Sequence, residues 1–297
     1  MSNSEFVGEN KILDDNPLKN QTFDYTIKSK YIMVMLADFS NILNSMIIKG
    51  IEGEVSRYDY KVIVVNCHND EELQRSFLPL LTRKVAAGLI IACPYFNTEE
   101  MVRLSRRFPI VQCGHNVSDE IPFVAADNER AAFDIVNMII KKGRKRIAFF
   151  TTNNLRGPTV GRLKGYISAL NKNGIPFDKD LVFYGTYGFR NSCAVTEKFL
   201  YENPDVDGIF ALCDRMAAGA ITAIKKLGKR IPDDISVGSI DNVPSSYEIQ
   251  PNLTTVYHRQ EEMGQKAAEM LIKKIKRRVI PQDKVFIGYD IIIRDSI

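Results

Sequence analysis

The sequence predicts an α/β fold of two tandem, doubly wound parallel-sheet lobes with a ligand cleft between them. Three observations predict it. Short apolar runs alternate with amphipathic helical stretches, the pattern of parallel strands covered on both faces. The same rhythm starts again near the middle of the 297-residue chain. The apolar run over 235–240 then delivers an acid and an amide, Asp241 and Asn242, at its carboxyl end, where open parallel sheets bind ligands.

Residues 1–30 are polar and mixed in charge, with no helical or strand period, and read as a tail or linker. "YIMVML" (31–36) is a buried-type strand, followed by a helical pattern from about Ser45 to Tyr58 and the strand "KVIVVN" (61–66). A helix over 70–84 leads to "AGLIIAC" (87–93), and one over 98–107 leads to "PIVQCG" (109–114). The second round opens with a helix over 129–142 and the strand "RIAFFT" (146–151). "GRLKGYISALNKNG" (161–174) is a helix stopped by Gly174. "LVFYG", a helix over 191–202, "GIFAL" (208–212), a helix over 214–227 and "ISVGSID" complete that lobe. "TTVYH" (254–258), a helix over 261–276 and "VFIGYDIIIRDSI" (285–297) are left to cross between lobes. The expected division is 31–127 plus 256–286 for the first lobe, and 128–255 plus 287–297 for the second.

Composition narrows the function classes. A hydrophobic fraction of 45%, a charged fraction of 26% and a net charge of +4 describe an ordinary soluble protein. Net charge alone gives no sign of nucleic-acid binding. Five cysteines (Cys67, Cys93, Cys113, Cys193, Cys213) are scattered without CxxC spacing, which favours thiols in a reducing compartment over a disulfide framework or a zinc site. No apolar run approaches the ~18 residues of a membrane span. The first twenty residues lack a basic segment followed by an apolar core, so a cytoplasmic location is expected. No phosphate-binding glycine motif, HExxH or GxSxG is present, and His68, His115 and His258 show no metal spacing. The expectation is a binding protein, with no catalytic residues, cofactor or metal.

Several ordered motifs resemble a known family. "KRIPDDISVGSIDNVPSSYEIQPNLTTVYHRQEEMGQKAAEMLI", "GRKRIAFF…GRLKGYISALNKNGI", "FALCDRMAAGAI", "IIIRDSI" and, in the first lobe, "VMLADFSNILNSMIIKGIE" are similar to the effector-binding core of the LacI/GalR (lactose-repressor) transcription regulators. The resemblance implies a periplasmic-binding-protein-like type I fold, a small-molecule effector (a sugar or sugar derivative) and a homodimer. The family reads operator DNA through an N-terminal helix-turn-helix headpiece and hinge helix. Residues 1–30 show neither an apolar helical period nor a basic recognition helix, so this chain is expected to lack a recognisable headpiece. Two alternatives stand beside this reading. One is a solute-binding protein for a sugar transporter; the other is a regulator-derived dimerisation module that has lost its ligand.

The resemblance also implies a ligand-binding set. Arg162 falls where the family grips ligand hydroxyls or a carboxylate, work suited to a planar guanidinium; a solvated arginine at a helix start is the plainer alternative. Asp241 falls at the family's ligand-binding acid, with Asn242 beside it, and a turn or cap is the alternative. Cys213 replaces the usual asparagine with a weaker hydrogen-bonding group, and Asp214 after it reads as the N-cap of helix 214–227. Tyr187 is placed to stack on a ring, and His258 lies where the chain returns to the first lobe. In the first lobe Asp38, Ser40 and Asn44 form the first βα turn, and Asp127 at the first crossing is either ligand or hinge. Gly114 and His115 stand where the family commonly has Asp-Arg, a loss of charged grip. The basic run "KKIKRR" (273–278) reads as a solvated helix end.

Overall fold

The computed structural model describes residues 29–93, 97–114, 116, 118–153, 157–185, 188–280 and 282–297. The tail expected over 1–30 lies outside the described residues except for its last two. The first lobe runs β1 (Tyr31–Leu36), α1 (Ile42–Ser56), β2 (Lys61–Asn66), α2 (Glu71–Thr82), β3 (Gly88–Ala92), α3 (Thr98–Ser105), β4 (Ile110–Cys113) and β5 (Phe123–Ala126). The second runs α4 (Asn128–Lys141), β6 (Ile147–Thr152), α5 (Pro158–Lys172), β7 (Val182–Gly185), α6 (Phe189–Glu202), β8 (Gly208–Ala211), α7 (Asp214–Lys226), β9 (Ser236–Ile240), α8 (Ser245–Glu248) and β10 (Thr254–Tyr257). α9 (Gln260–Ile275) and β11 (Lys284–Ile287) return to the first lobe, and β12 (Asp290–Ile292) ends in the second.

Two six-stranded sheets result, with orders β11-β5-β4-β3-β1-β2 and β12-β10-β9-β8-β6-β7. Their pairings are parallel except β10 with β12. β1 shows why its sequence is almost wholly apolar. Ile32, Val34 and Leu36 pack under α1 and α9 on one face, while Met33 and Met35 pack under α2 and α3 on the other. In the second lobe Phe149 stacks on Phe210 at 4.9 Å and meets Tyr166 at 5.4 Å within a single core.

Sequence reasoning missed β5. It is four residues long, and no helix separates it from β4, so the strand–helix rhythm did not announce it. Strand pairing also puts 256–257 in the second sheet and 287 in the first, so the crossings fall after Tyr257 and after Ile287. α1 begins three residues earlier than the pattern suggested, because Asn41 caps it by accepting the Leu43 N–H at 3.0 Å. At the other end of the lobe Lys273 and Lys274 occupy the last turn of α9, where cations complement the helix dipole, and Lys276 lies 3.9 Å over the Tyr58 ring.

The crossings orient the sheets. β5 leaves by its carboxyl end into α4 of the second lobe, and β10 leaves by its carboxyl end into α9 of the first. Both carboxyl edges therefore face the hinge. Contacts between crossing segments bind the hinge together: Arg259 forks onto Asp290 with two 2.9 Å bonds, Tyr289 donates to Asp134 at 2.5 Å, and the His258 ring meets Tyr289 edge-on at 6.1 Å.

α1 and α9 approach closely because Gly264 has no side chain: a Cβ there would lie 2.1 Å from the Ile47 carbonyl oxygen. Gly264→Ala is expected to cost about 1–3 kcal/mol through forced separation of the two helices. Urea unfolding of the variant against the wild type measures it.

Candidate functional site

The polar groups of the second lobe line up along the carboxyl edge of its sheet. Thr152 ends β6, Cys213 follows β8, Asp241 follows β9 and His258 follows β10, on neighbouring strands in that sheet order. α5 starts with Pro158 in its first turn, where proline is tolerated, and carries Arg162 inward, 8% exposed, to the same edge. Arg162 donates through Nε to Asn128 at 2.9 Å, through Nη1 to the Leu212 carbonyl, and through Nη2 to Asp241 at 3.4 Å. It is therefore a buried guanidinium with three of its five N–H groups engaged, and not a solvated helix-start residue.

Asp214 overturns its sequence assignment. The N-cap position of α7 belongs to Cys213, whose side chain makes no capping bond. Asp214 is the first helical residue, and its carboxylate turns into the lobe. One oxygen accepts the Ser239 and Thr255 hydroxyls, both at 2.5 Å, and the other accepts the Val243 N–H at 2.8 Å. The group ties β9, β10 and the turn after Asp241 to the start of α7.

Burial dominates the electrostatics. It raises Asp241 to about 7, with Asp214 adding to the rise and the Arg162 charge opposing it. Burial likewise raises Asp214 to about 6 against its three hydrogen bonds. Cys213 is pushed up to about 12, first by burial and then by the Asp241 charge, so it stays a thiol. Burial, then Arg162, lowers His258 to about 3 and keeps the ring neutral. Both His258 ring nitrogens and the Thr152 hydroxyl are buried with no hydrogen-bond partner among the described residues. Buried polar atoms rarely stay unpaired, so this edge has unused bonding capacity. Thr152 is a candidate that sequence reasoning missed; its only signal is a hydroxyl closing the apolar run "AFFTT".

The remaining candidates are placed differently. Asn242 accepts a bond from Arg294 at 2.7 Å and is part of the turn that holds Asp241. Asp38 accepts the Ser40 N–H at 2.8 Å and the Ser40 hydroxyl at 2.6 Å, and these bonds hold its carboxyl below the usual range. Asn44 donates to the Asp38 carbonyl at 2.7 Å, so the three residues close a turn on one another at the first sheet's carboxyl edge. Asp127 caps α4 by accepting the Arg130 N–H at 2.9 Å. Gly114 sits at φ +78°, a conformation that favours glycine. Tyr187 and His115 lie outside the described residues. No cluster of three or more potential metal ligands, and no helix long and apolar enough to cross a membrane, occurs among the described residues.

Asp241 binds a proton more tightly in the folded state than in the unfolded chain, so its contribution to stability is present at acid pH and is lost as pH rises from about 4 to about 7. Asp241→Asn removes that dependence. The melting temperature of the variant relative to wild type is expected to rise from pH 5 to about pH 7 and to level off above it; a constant difference from pH 5 to pH 7 contradicts the assignment.

Comparison with known proteins agrees with this architecture. A family model described as a periplasmic binding protein-like domain matches residues 136–297. The HTH-type transcriptional regulator RegA of Clostridium saccharobutylicum is 29% identical over 276 residues, covering 91% of this chain and 82% of that regulator. The ribose operon repressor of Halalkalibacterium halodurans is 27% identical over 272 residues, covering 92% of this chain and 81% of the repressor. The crystal structure of transcription regulator CcpA of Lactococcus lactis superposes with a TM-score of 0.80 at 26% identity, covering 90% of this chain and 99% of that one. These relatives are transcription regulators, not enzymes. A chain with this double sheet, this hinge and this buried edge belongs to the periplasmic binding protein-like domain family, as the effector-binding core type of the LacI/GalR regulators.

Proposed function

We propose that this protein senses a small, uncharged polyhydroxyl effector, a sugar or sugar derivative, as the effector-binding and dimerisation core of a cytoplasmic transcription regulator. One observation carries the reading. An acid–arginine pair, a neutral imidazole with both nitrogens unpaired and an unpaired hydroxyl converge on the carboxyl edge that faces the hinge. A carboxylate accepts sugar hydroxyls, while His258 and Thr152 supply further acceptors and donors. An anion fits poorly, because two buried carboxyls, Asp241 and Asp214, stand beside Arg162 and the first already pairs with it. The relative named as a ribose operon repressor supports the sugar class.

Effector binding would favour the closed arrangement of lobes in proportion to its differential affinity for the two arrangements, and so bias affinity for DNA bound through a headpiece. A second reading, a dimerisation module without ligand, is favoured by Cys213, a buried thiol where the family carries an amide.

A thermal-shift panel of neutral sugars, sugar phosphates and nucleobases separates the two. A neutral sugar at a hundredfold its Kd is expected to stabilise the wild type by about 2.7 kcal/mol. Asp241→Ala and Arg162→Ala should each remove that gain. Stabilisation that survives both changes sinks the site assignment, and a panel without any stabilising compound favours the ligand-free module. Sedimentation velocity at micromolar concentration is expected to show a dimer; a monomer there removes dimerisation from the proposal.

A further inference from the structure

Asp241 and Asn242 are consecutive non-glycine residues with positive φ, +133° and +54°. Neither is a conformation that an L-residue adopts without cost, so the surroundings must hold both. The turn is held at three points. The Asp241 N–H donates to the Val256 carbonyl at 2.8 Å, the Val243 N–H donates to Asp214 at 2.8 Å, and the Asn242 side chain accepts from Arg294 Nη2 at 2.7 Å. The Asn242 N–H adds only a 3.4 Å contact to the Thr255 hydroxyl.

Arg294 comes from the far end of the chain and is itself rigidly mounted. Its Nη1 donates to the Leu253 carbonyl at 2.7 Å and to the Ser246 hydroxyl at 3.2 Å, and its N–H donates to the Thr254 hydroxyl at 2.9 Å. Two residues on, the Ser296 hydroxyl donates to the Val237 carbonyl at 2.6 Å and accepts the Thr254 N–H at 2.8 Å, strapping this segment to both β9 and β10. A planar fork that reaches three acceptors at once is what arginine offers and lysine does not.

We propose that Arg294 is a positioning residue: through Asn242 it holds the turn that keeps Asp241 buried against Arg162. It touches no effector. The inference rests on Asp241 being the effector-gripping acid, and it adds that the acid's placement is set by the carboxyl-terminal segment. If the fork is lost, the Asn242 side chain keeps only a 3.5 Å contact from the Ser246 hydroxyl, the strained pair relaxes, and the Asp241 carboxyl moves away from Arg162, Asp214 and Cys213 toward solvent.

The test reads the Asp241 carboxyl in the effector-free full chain by carbon-13 NMR titration, its resonance assigned by its loss in Asp241→Asn. In Arg294→Gln the Asp241 midpoint is expected to fall by at least one pH unit toward the ordinary carboxylate range. Asn242→Ala keeps a side chain at the positive φ and removes the acceptor, while Arg294 retains its bonds to Leu253 and Ser246, so it folds even where Arg294→Gln does not. It should give the same fall, and the double variant should add nothing further. Arg294→Lys, with one bond in place of a fork, should fall in between. A wild-type midpoint in Asn242→Ala, or in folded Arg294→Gln, overturns the proposal. A mere loss of packing would lower the melting temperature and leave the midpoint in place. Because no effector is present, failure of the sugar screen leaves this result standing, and failure here leaves the screen standing.

Discussion

Asp214 is a buried carboxylate at the base of the second lobe, and the rest of the site depends on how its oxygens are satisfied. An unpaired carboxylate in such a position would cost several kcal/mol, so its partners are obligatory. Those partners are the Ser239 and Thr255 hydroxyls and the Val243 N–H, one each from β9, β10 and the turn beyond Asp241. Satisfying one carboxylate therefore fixes the relative placement of α7, two central strands and the loop that presents the second acid. Ser239 inside the apolar run "ISVGSI" and Thr255 in "TTVYH" serve this purpose.

Around that anchor the lobe collects nearly buried charge. Arg162 stands among Asp241, Asp214 and the neutral ring of His258, and it also donates to Asn128 and to the Leu212 carbonyl. The arginine does two things at once. It lowers the cost of ionising Asp241, and it joins α4, α5, β8 and β9 at the point where the first crossing enters the lobe. Rearrangement at this edge would be felt at the hinge, where Arg259, Asp290, Tyr289 and Asp134 bind the crossing segments together. Under the proposed function, a ligand engaging Asp241 would act on a group bonded, through Arg162 and Asn128, to the start of the first crossing, and differential binding to two lobe arrangements would then shift between them.

The carboxyl terminus belongs to the same construction. Arg294 and Ser296 are far from the acid in sequence, yet they strap the strands that carry it and grip the amide next to it. The two lobes differ here. The first-lobe turn of Asp38, Ser40 and Asn44 is closed by its own local bonds, whereas the second-lobe turn is held by residues from β10, α7 and the last segment of the chain. The second lobe accordingly holds its polar groups in place through bonds between distant segments of the chain.

The strands were legible because their signal is local. β1, β3, β6 and β8 are apolar runs whose faces are both buried, and burial on both faces leaves an unbroken hydrophobic stretch in the sequence. That Arg162 and Asp241 are site candidates followed from motif resemblance, not from anything the residues say alone; their pairing is visible only in the structure. What the sequence by itself determined was the alternation of strand and helix, the restart at the second lobe and the polar residues at the strands' carboxyl ends. Tertiary structure alone decided that β5 is a strand, that Asp214 turns inward and does not cap its helix, that Thr152 and His258 are left without partners, and that Arg294 reaches Asn242. The physical reason is range. Periodicity and capping depend on neighbours within a turn or two of chain, while the fate of a buried polar group is set by whichever distant residue the fold brings within about 3 Å of it.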